Sequence, residues 1–445
     1  MKVAGIIVEY NPFHNGHKYH IEEARRLTGA DYVIAVMSGN FVQRGTPAII
    51  DKYNRTRMAL KNGVDLVLEL PVCYATGSAE YFAMGAVSIL NRLGVVDYLC
   101  FGSECGDIAL LEETAGLLLK APELYDERLY SYVKEGLTYP AARAKAVEQI
   151  YHSSGDQAAY EKIAAVLSEP NNILGLEYMK ALTKLSSSIT PITIARQAAH
   201  YHEETLTDQK SETALIYQSF PVKLQEEDDN DGEVISSATA IRNTLQSTDN
   251  VFGLSRVRSS VPEDVYELLT EYYNKSYPIT EEDFAQILIY KLLSESSTSL
   301  ASYVDINPDL ADRLMNIQNT YLSIAELTKQ IKTRNVTHTR INRALAHLLL
   351  NIKDDAIKDY LGNGCSFYAR VLGLKRSSSQ LLRRITDIGH IPVITKVTKA
   401  DNQLEPLGRQ MLSEDIFAAH IYNQAVYRKY NTAILNEYKH GIVIM

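Results

Sequence analysis

His14 and His17, separated only by Asn15 and Gly16, follow the first apolar run of the chain. With one imidazole on a turn and the other on the first turn of a helix, both can face a single α-phosphate. From there they can donate hydrogen bonds to the charge that develops as pyrophosphate leaves. Gly16 has no Cβ, so a nucleotide can lie close over its backbone. The free N–H groups and dipole at a helix start favour the same anion. His20 completes a trio that invites a metal reading, but the chain turns within the stretch and no Cys or carboxylate pair stands beside it. His20 therefore reads as a helix-surface or substrate-side residue, and no protein metal site is expected.

A second segment handles the other end of a nucleoside triphosphate. Ile235-Ser236-Ser237-Ala238-Thr239-Ala240-Ile241-Arg242 opens a helix with hydroxyls and free N–H groups, and places an Arg one turn further in. Ser237 and Arg242 are its candidates for holding the departing phosphates.

These residues need a frame. Val3–Val8 has the length and β-branched content of a buried strand, Asn11-Pro12 marks a turn, and 18–27 is periodic as a helix. The first 110 residues continue the alternation: strands over 31–37, 64–70 and 95–102, helices over about 51–62 and 79–93, and a further helix opening near Asp107. Each strand is apolar on both faces, which predicts a Rossmann-like, doubly wound parallel sheet in an α/β fold. Ligands of such sheets sit off the carboxyl ends of the strands. His14 and His17 follow strand one; Ser38–Phe41 and Gln43–Gly45 follow strand two; Phe101–Glu104 follows strand four. Helices are expected from 107 to 185, interrupted at 168–172, then a strand over 189–195 ending at Arg196. A polar, acidic stretch from 202 to 233 reads as a loop. Helices dominate from 258 to 352, before a small mixed C-terminal region with strands near 368–374 and 391–398 around a helix at 378–386. This divides the chain into a nucleotidyltransferase-like domain, 1–255, and a mainly helical region, 256–445. No internal repeat is visible.

The chain has 445 residues, 46% of them hydrophobic and 22% charged, and carries a net charge of −9. No run approaches the roughly 18 apolar residues of a membrane span, and no basic-apolar leader opens the chain, so a cytoplasmic protein without a membrane partner is expected. Cys73, Cys100, Cys105 and Cys365 lack Cys-x-x-Cys spacing and read as buried apolar residues. The net charge hides a segregation. Between Lys329 and Lys399 there are 14 Lys and Arg against 4 Asp and Glu, leaving 31 basic against 50 acidic elsewhere. Such asymmetry points to a polyanionic partner.

The two phosphate segments together resemble the HIGH-type nucleotidyltransferase superfamily, whose second signature is Ile-Ser-Ser-Thr-x-Ile-Arg. Alignment on Thr239-x-Ile241-Arg242 puts Ser237 on the first serine and Ala238 on the second. One phosphate-side hydroxyl is then missing, unless Ser236 takes its place through a local shift. Within the superfamily the chain is similar, over nearly its whole length, to the tRNA(Met) cytidine acetate ligase family. The matching stretches are Glu9–His17, Met37–Gly45, Phe101–Glu104, Ser168–Gly175 and Thr337–Arg343. The resemblance implies an enzyme that uses ATP, with Mg²⁺ expected on the phosphates, to join acetate to the N4 amine of the wobble cytidine of elongator tRNA(Met). It implies an ATP site from the loop Ile7, Glu9, Tyr10, Asn11, Pro12, Phe13, His14, Asn15, Gly16, His17 and His20, with Gly102, Asn171 and Arg196. On their own chemistry, Gly102 offers bare backbone to adenine or ribose, Asn171 caps a helix or reaches a ribose, and Arg196 ends a strand on the ligand side. The loop 38–45 either bounds the acetate pocket or is structural. Arg340, Arg343, Lys375, Arg376, Arg383 and Arg384 are the expected tRNA contacts, and no DNA partner is expected. Two other readings share these motifs: a small-molecule adenylyl- or cytidylyltransferase, and a non-catalytic RNA-binding protein with a relict fold.

Overall fold

The alternation of short apolar strands and amphipathic helices folds as the periodicity predicts. The computed structural model describes residues 1–445 apart from 121, 136, 138, 153–156, 197–235, 247–249, 321–322 and 334–335. The acidic stretch expected as a loop over 202–233, and Ile235, lie outside the described residues.

In chain order, β1 (Val3–Val8), α1 (Asn15–Thr28), β2 (Tyr32–Ser38), α2 (Lys52–Lys61), β3 (Leu66–Leu70), α3 (Val72–Ala75), α4 (Ala79–Arg92) and β4 (Tyr98–Ser103) build the first units. Four helices, α5 (Ile108–Lys120), α6 (Pro122–Lys134), α7 (Tyr139–His152) and α8 (Gln157–Ser168), lead to α9 (Pro170–Lys184) and β5 (Thr190–Ala195). Five strands run parallel in the order β5-β4-β1-β2-β3. The winding reverses between β1 and β4, so a crevice at their carboxyl ends is the place for a ligand. Alternate strand residues feed two cores. Val33 and Ala35 pack with Ile21, Met58 and Leu60 on one face; Ile34 and Val36 pack with Phe82, Ala86 and Val87 on the other. Burial on both faces explains why these strands lack polar alternation.

Beyond residue 235 come α10 (Ala238–Gln246), α11 (Asn250–Arg256), α12 (Glu263–Tyr272), α13 (Ala285–Leu293), α14 (Ser297–Leu300), α15 (Pro308–Ile317), α16 (Ile324–Ile331), α17 (His338–Leu350) and α18 (Asp354–Gly362). β6 (Ala369–Leu374), α19 (Ser379–Ile388), β7 (Val393–Ile394), the 25-residue α20 (Pro406–Tyr430) and β8 (Val443–Ile444) complete the chain. The expected small mixed region is not a separate unit. β6 pairs antiparallel with β3, and β7 and β8 pair with β6, so the same sheet continues as a mixed one. The boundary expected near 255 thus separates stretches that share one sheet and both of its cores. The long α20 has a nearly uniform mixture of residue types around its axis, which leaves little periodic signal to read in advance.

Candidate active site

His14 is the N-cap of α1, with extended backbone (φ −146, ψ 172). His17, one turn in, accepts a hydrogen bond on Nδ1 from the His14 backbone N–H at 3.2 Å. That bond fixes the tautomer, because Nδ1 must be bare and Nε2 must carry the proton. The rings stack with centroids 3.7 Å apart. Behind them lie the buried Tyr10, in left-handed backbone (φ 50), and Phe13, whose rings sit 4.8 and 5.6 Å from His17. Tyr10, Phe13 and Pro12 (after a cis bond) therefore support the histidines from behind. Asn15 likewise turns away, donating from Nδ2 to the Ser259 carbonyl at 2.8 Å.

Burial strips water from all three imidazoles and lowers their pKa values: His14 to about 3, His20 to about 4 and His17 well below its usual range. The positive charges of Arg196 and, for His14, Arg242 act in the same direction. The free protein thus presents neutral rings. Nδ1 of His14 and Nε2 of His20 are buried with no hydrogen-bond partner among the described residues. Such orphaned polar atoms in a cleft are what a ligand oxygen can satisfy.

The second segment closes onto the first. Ser237 Oγ caps α10, accepting from the Ala240 N–H at 3.1 Å. Arg242 reaches across, donating from Nη1 to the Asn11 carbonyl at 2.9 Å and from Nη2 to Thr239 Oγ1 at 3.0 Å. Residues 231 positions apart are thereby joined directly. Ser236 also lines the cleft, and its Oγ is hydrogen-bonded to Ser260 Oγ at 2.9 Å. Thr239 lines the cleft and is oriented by Arg242, adding a hydroxyl beside Ser237.

The third wall comes from the strand ends. Gly102 pairs with Ile194 across β4 and β5, and a Cβ at 102 would rest 3.5 Å from Arg196 Cγ. The Arg196 N–H is tied to the Ser103 carbonyl at 3.0 Å. Asn171 does not cap α9. The carboxylate of Glu104 does so instead, accepting from Asn171 N and Nδ2 and from Asn172 N at 2.8 Å. Asn172 returns the clasp, its Oδ1 accepting from the N–H groups of Glu104 and Cys105 at 2.9 and 3.1 Å. Cys105 is half-buried rather than core, because it sits on this turn; the other three cysteines are buried.

The three walls enclose one cleft of about 320 Å³, at the low end of small-molecule sites. Of the expected residues, Ile7, Glu9, Asn11, His14, Gly16, His17, His20, Gly102, Asn171, Arg196, Ser237 and Arg242 line it; Tyr10, Pro12, Phe13 and Asn15 do not. The loop after β2 supplies Val42, Gln43, Arg44 and Thr46, and the Gln43 N–H donates to Glu9 Oε1 at 2.7 Å. Phe82, Phe101, Leu174 and Tyr178 form an apolar side, of which only Phe101 and Leu174 fall in the matching stretches. Arg55, fully buried, was also missed. It donates to the carbonyls of Ile50 (3.0 Å), Glu9 (2.6 Å), Ser38 (3.1 Å) and Gly39, knotting the ends of β1 and β2 together. No group of three or more potential metal ligands occurs among the described residues, which build no protein cage for Mg²⁺.

The expected tRNA contacts divide. Arg343 forms a bidentate pair with Asp305 (2.7 and 3.1 Å), and Arg340 lies 3.9 Å from the same carboxylate. Arg343 is largely buried, and its charge is already paired. Arg376, Arg383 and Arg384 are exposed on and before α19, with Lys375 half-buried. They sit where β6 meets the start of β3, at the end of the sheet opposite the cleft. No helix among the described residues is long and apolar enough to cross a membrane.

Comparison with known proteins adds an independent line. The family model described as HIGH Nucleotidyl Transferase matches residues 1–223 and 216–437. A tRNA(Met) cytidine acetate ligase of Thermoanaerobacter sp. (strain X514) is 39% identical over 426 residues, covering 96% of both chains. The protein of that name from Acetivibrio thermocellus is 35% identical over the full length of both. Among solved structures, apo Thermotoga maritima TmcAL superposes with a TM-score of 0.88 at 30% identity and complete coverage of both chains. TmcAL bound with alpha-thio ATP gives 0.85 at 30% identity, covering 100% of this chain and 99% of that one.

Proposed function

The chain belongs to the HIGH nucleotidyl transferase family and, within it, to the tRNA(Met) cytidine acetate ligases, and from that premise we propose how its cleft works. It is an ATP-dependent ligase that acetylates N4 of the wobble cytidine of elongator tRNA(Met), releasing AMP and pyrophosphate. The observation that carries this reading is the Arg242 bridge to Asn11, which sets both phosphate segments on one cleft.

Acetate is a poor electrophile until its oxygen carries a good leaving group. An acetate oxygen attacks the α-phosphorus of ATP, the bond to the β-phosphate oxygen breaks, and acetyl-adenylate and pyrophosphate form. The neutral His14 and His17 donate N–H bonds to the α-phosphate oxygens as charge builds there. Arg242, Thr239 and the Ser237-capped start of α10 hold the departing pyrophosphate. Gly102, Asn171 and Arg196 border the nucleoside end. Mg²⁺ arriving with ATP would neutralise phosphate charge, and the phosphates rather than a protein cage would hold it. The cytidine amine then displaces AMP from the acetyl carbon.

The anticodon loop is single-stranded, so its bases can enter a pocket. The exposed Arg376, Arg383 and Arg384 lie at the opposite end of the sheet from the cleft. They suit the phosphates of the anticodon stem while the loop reaches the site. A tRNA substrate supports a cytoplasmic location.

The test is radiolabelled acetate and ATP, with and without bulk tRNA. Acid-precipitable label that requires both ATP and tRNA supports the ligase. ATP consumption yielding a nucleotidylated small molecule, or no turnover at all, would overturn it.

A further inference from the structure

One group in the cleft is out of place for a polyanion site. Glu9 presents a carboxylate where a triphosphate must bind, and like charges there repel. It is also firmly held. Its carbonyl accepts from the buried Arg55 at 2.6 Å, and its Oε1 accepts from the Gln43 N–H at 2.7 Å. The Gln43 bond engages only one of its two oxygens. The negative charge of Glu9 reaches the hydroxyl of Tyr178, a buried ring packed edge-on against Phe101 at 5.5 Å. A fixed carboxylate beside an aromatic wall suits a flat base with an N–H to give away, rather than a phosphate.

The second half of the reaction supplies that group. The N4 lone pair of cytosine is delocalised into its ring, so the amine attacks a mixed anhydride only as its proton is removed. Glu and Asp are also the side chains that accept from cytosine N4 in base recognition. We propose that Glu9 is the base for acetyl transfer, receiving the N4 proton of the wobble cytidine. This rests on the ligase reading above. As N4 attacks, a bond forms between N4 and the acetyl carbon, and the bond from that carbon to the adenylate oxygen breaks. AMP leaves with the electron pair, and one N4 proton passes to the second oxygen of Glu9. His14 and His17 serve the first step, Glu9 the second.

The two steps are measured separately on Glu9→Gln, whose amide oxygen can still accept from Gln43. Acetate-dependent exchange of labelled pyrophosphate into ATP reads activation; single-turnover labelling of tRNA reads transfer. The expected result is a transfer rate reduced about 100-fold or more beyond any change in exchange, the scale of a lost general base. An equal fall in both rates, or a rise in KM for ATP during exchange, would assign Glu9 to the nucleotide and overturn the proposal. So would transfer at the parent rate. If the unsubstituted protein shows neither exchange nor labelled tRNA, the ligase reading itself has failed. Exchange without a transfer defect in Glu9→Gln rejects only the base.

Discussion

At the scale of single residues, the chemistry was legible where it is written locally. His14 and His17 are neighbours in sequence, and the helix start that aligns them is visible in the same few residues. His14→Ala should lower acetate-dependent pyrophosphate exchange about 10²- to 10³-fold, the cost of losing one transition-state hydrogen-bond donor. A rate within a few-fold of the parent would remove His14 from catalysis. Its burial has a second consequence. The folded-state pKa of about 3 lies below the ordinary 6.5, so as pH falls the unfolded chain takes up the proton first. The contribution is fully present above about pH 6.5 and is lost as acid is added toward pH 3. His14→Gln should therefore flatten the acid limb of a stability curve by up to about 1 kcal/mol per pH unit, read from urea midpoints between pH 6.5 and 4. The roles of Thr239, Asn172 and Tyr178 were hidden for the opposite reason. A threonine in a helical turn, an asparagine after a proline and a tyrosine in an apolar stripe acquire their roles only when distant segments meet.

At the scale of elements, hydrophobic periodicity found the strands and their flanking helices because each strand is buried on both faces. It could not find what ties their ends. Arg55 sits in a helix that reads as ordinary and amphipathic, yet its guanidinium satisfies four carbonyls under the site. Arg55→Met should strand those acceptors and cost about 3 kcal/mol or more, seen as a lowered denaturation midpoint together with lost exchange activity. The loop after β2 is clamped from the far side as well. Gly45 adopts φ +75, and any side chain there would run into the backbone of Asn342 and Arg343 at the start of α17. The basic helices illustrate how composition misleads. Charge counting treats Arg343 and Arg383 alike, whereas Asp305 engages the first and solvent surrounds the second. Replacing Arg383 and Arg384 by Ala should weaken tRNA binding and lower the salt slope by about 1 to 2. Arg343→Ala should instead lower the melting temperature and leave that slope nearly intact.

At the scale of the whole molecule, the sequence pointed to a division that the sheet ignores. A two-residue strand such as β8 carries no periodic signal, and β6 reveals its partner only once β3 is folded beside it. What fastens the far end of the chain is a buried cluster of four charges. Lys52 contacts Glu69 (2.7 Å) and Glu437 (2.8 Å), and Arg370 contacts the same two carboxylates. The set is neutral only when all four are present. Glu437→Gln should leave an unmatched buried cation and cost about 3–5 kcal/mol in denaturant unfolding. The same cluster bears on how the protein is made. Tyr53, which donates to Glu437, precedes it by 384 residues. A ribosome adding about 5–20 residues per second needs about 20–80 seconds to cross that interval. Throughout that time the newborn sheet has an open β3 edge and lacks the anion that completes its charge balance, so chaperones have their longest opportunity on the half of the enzyme that is translated first.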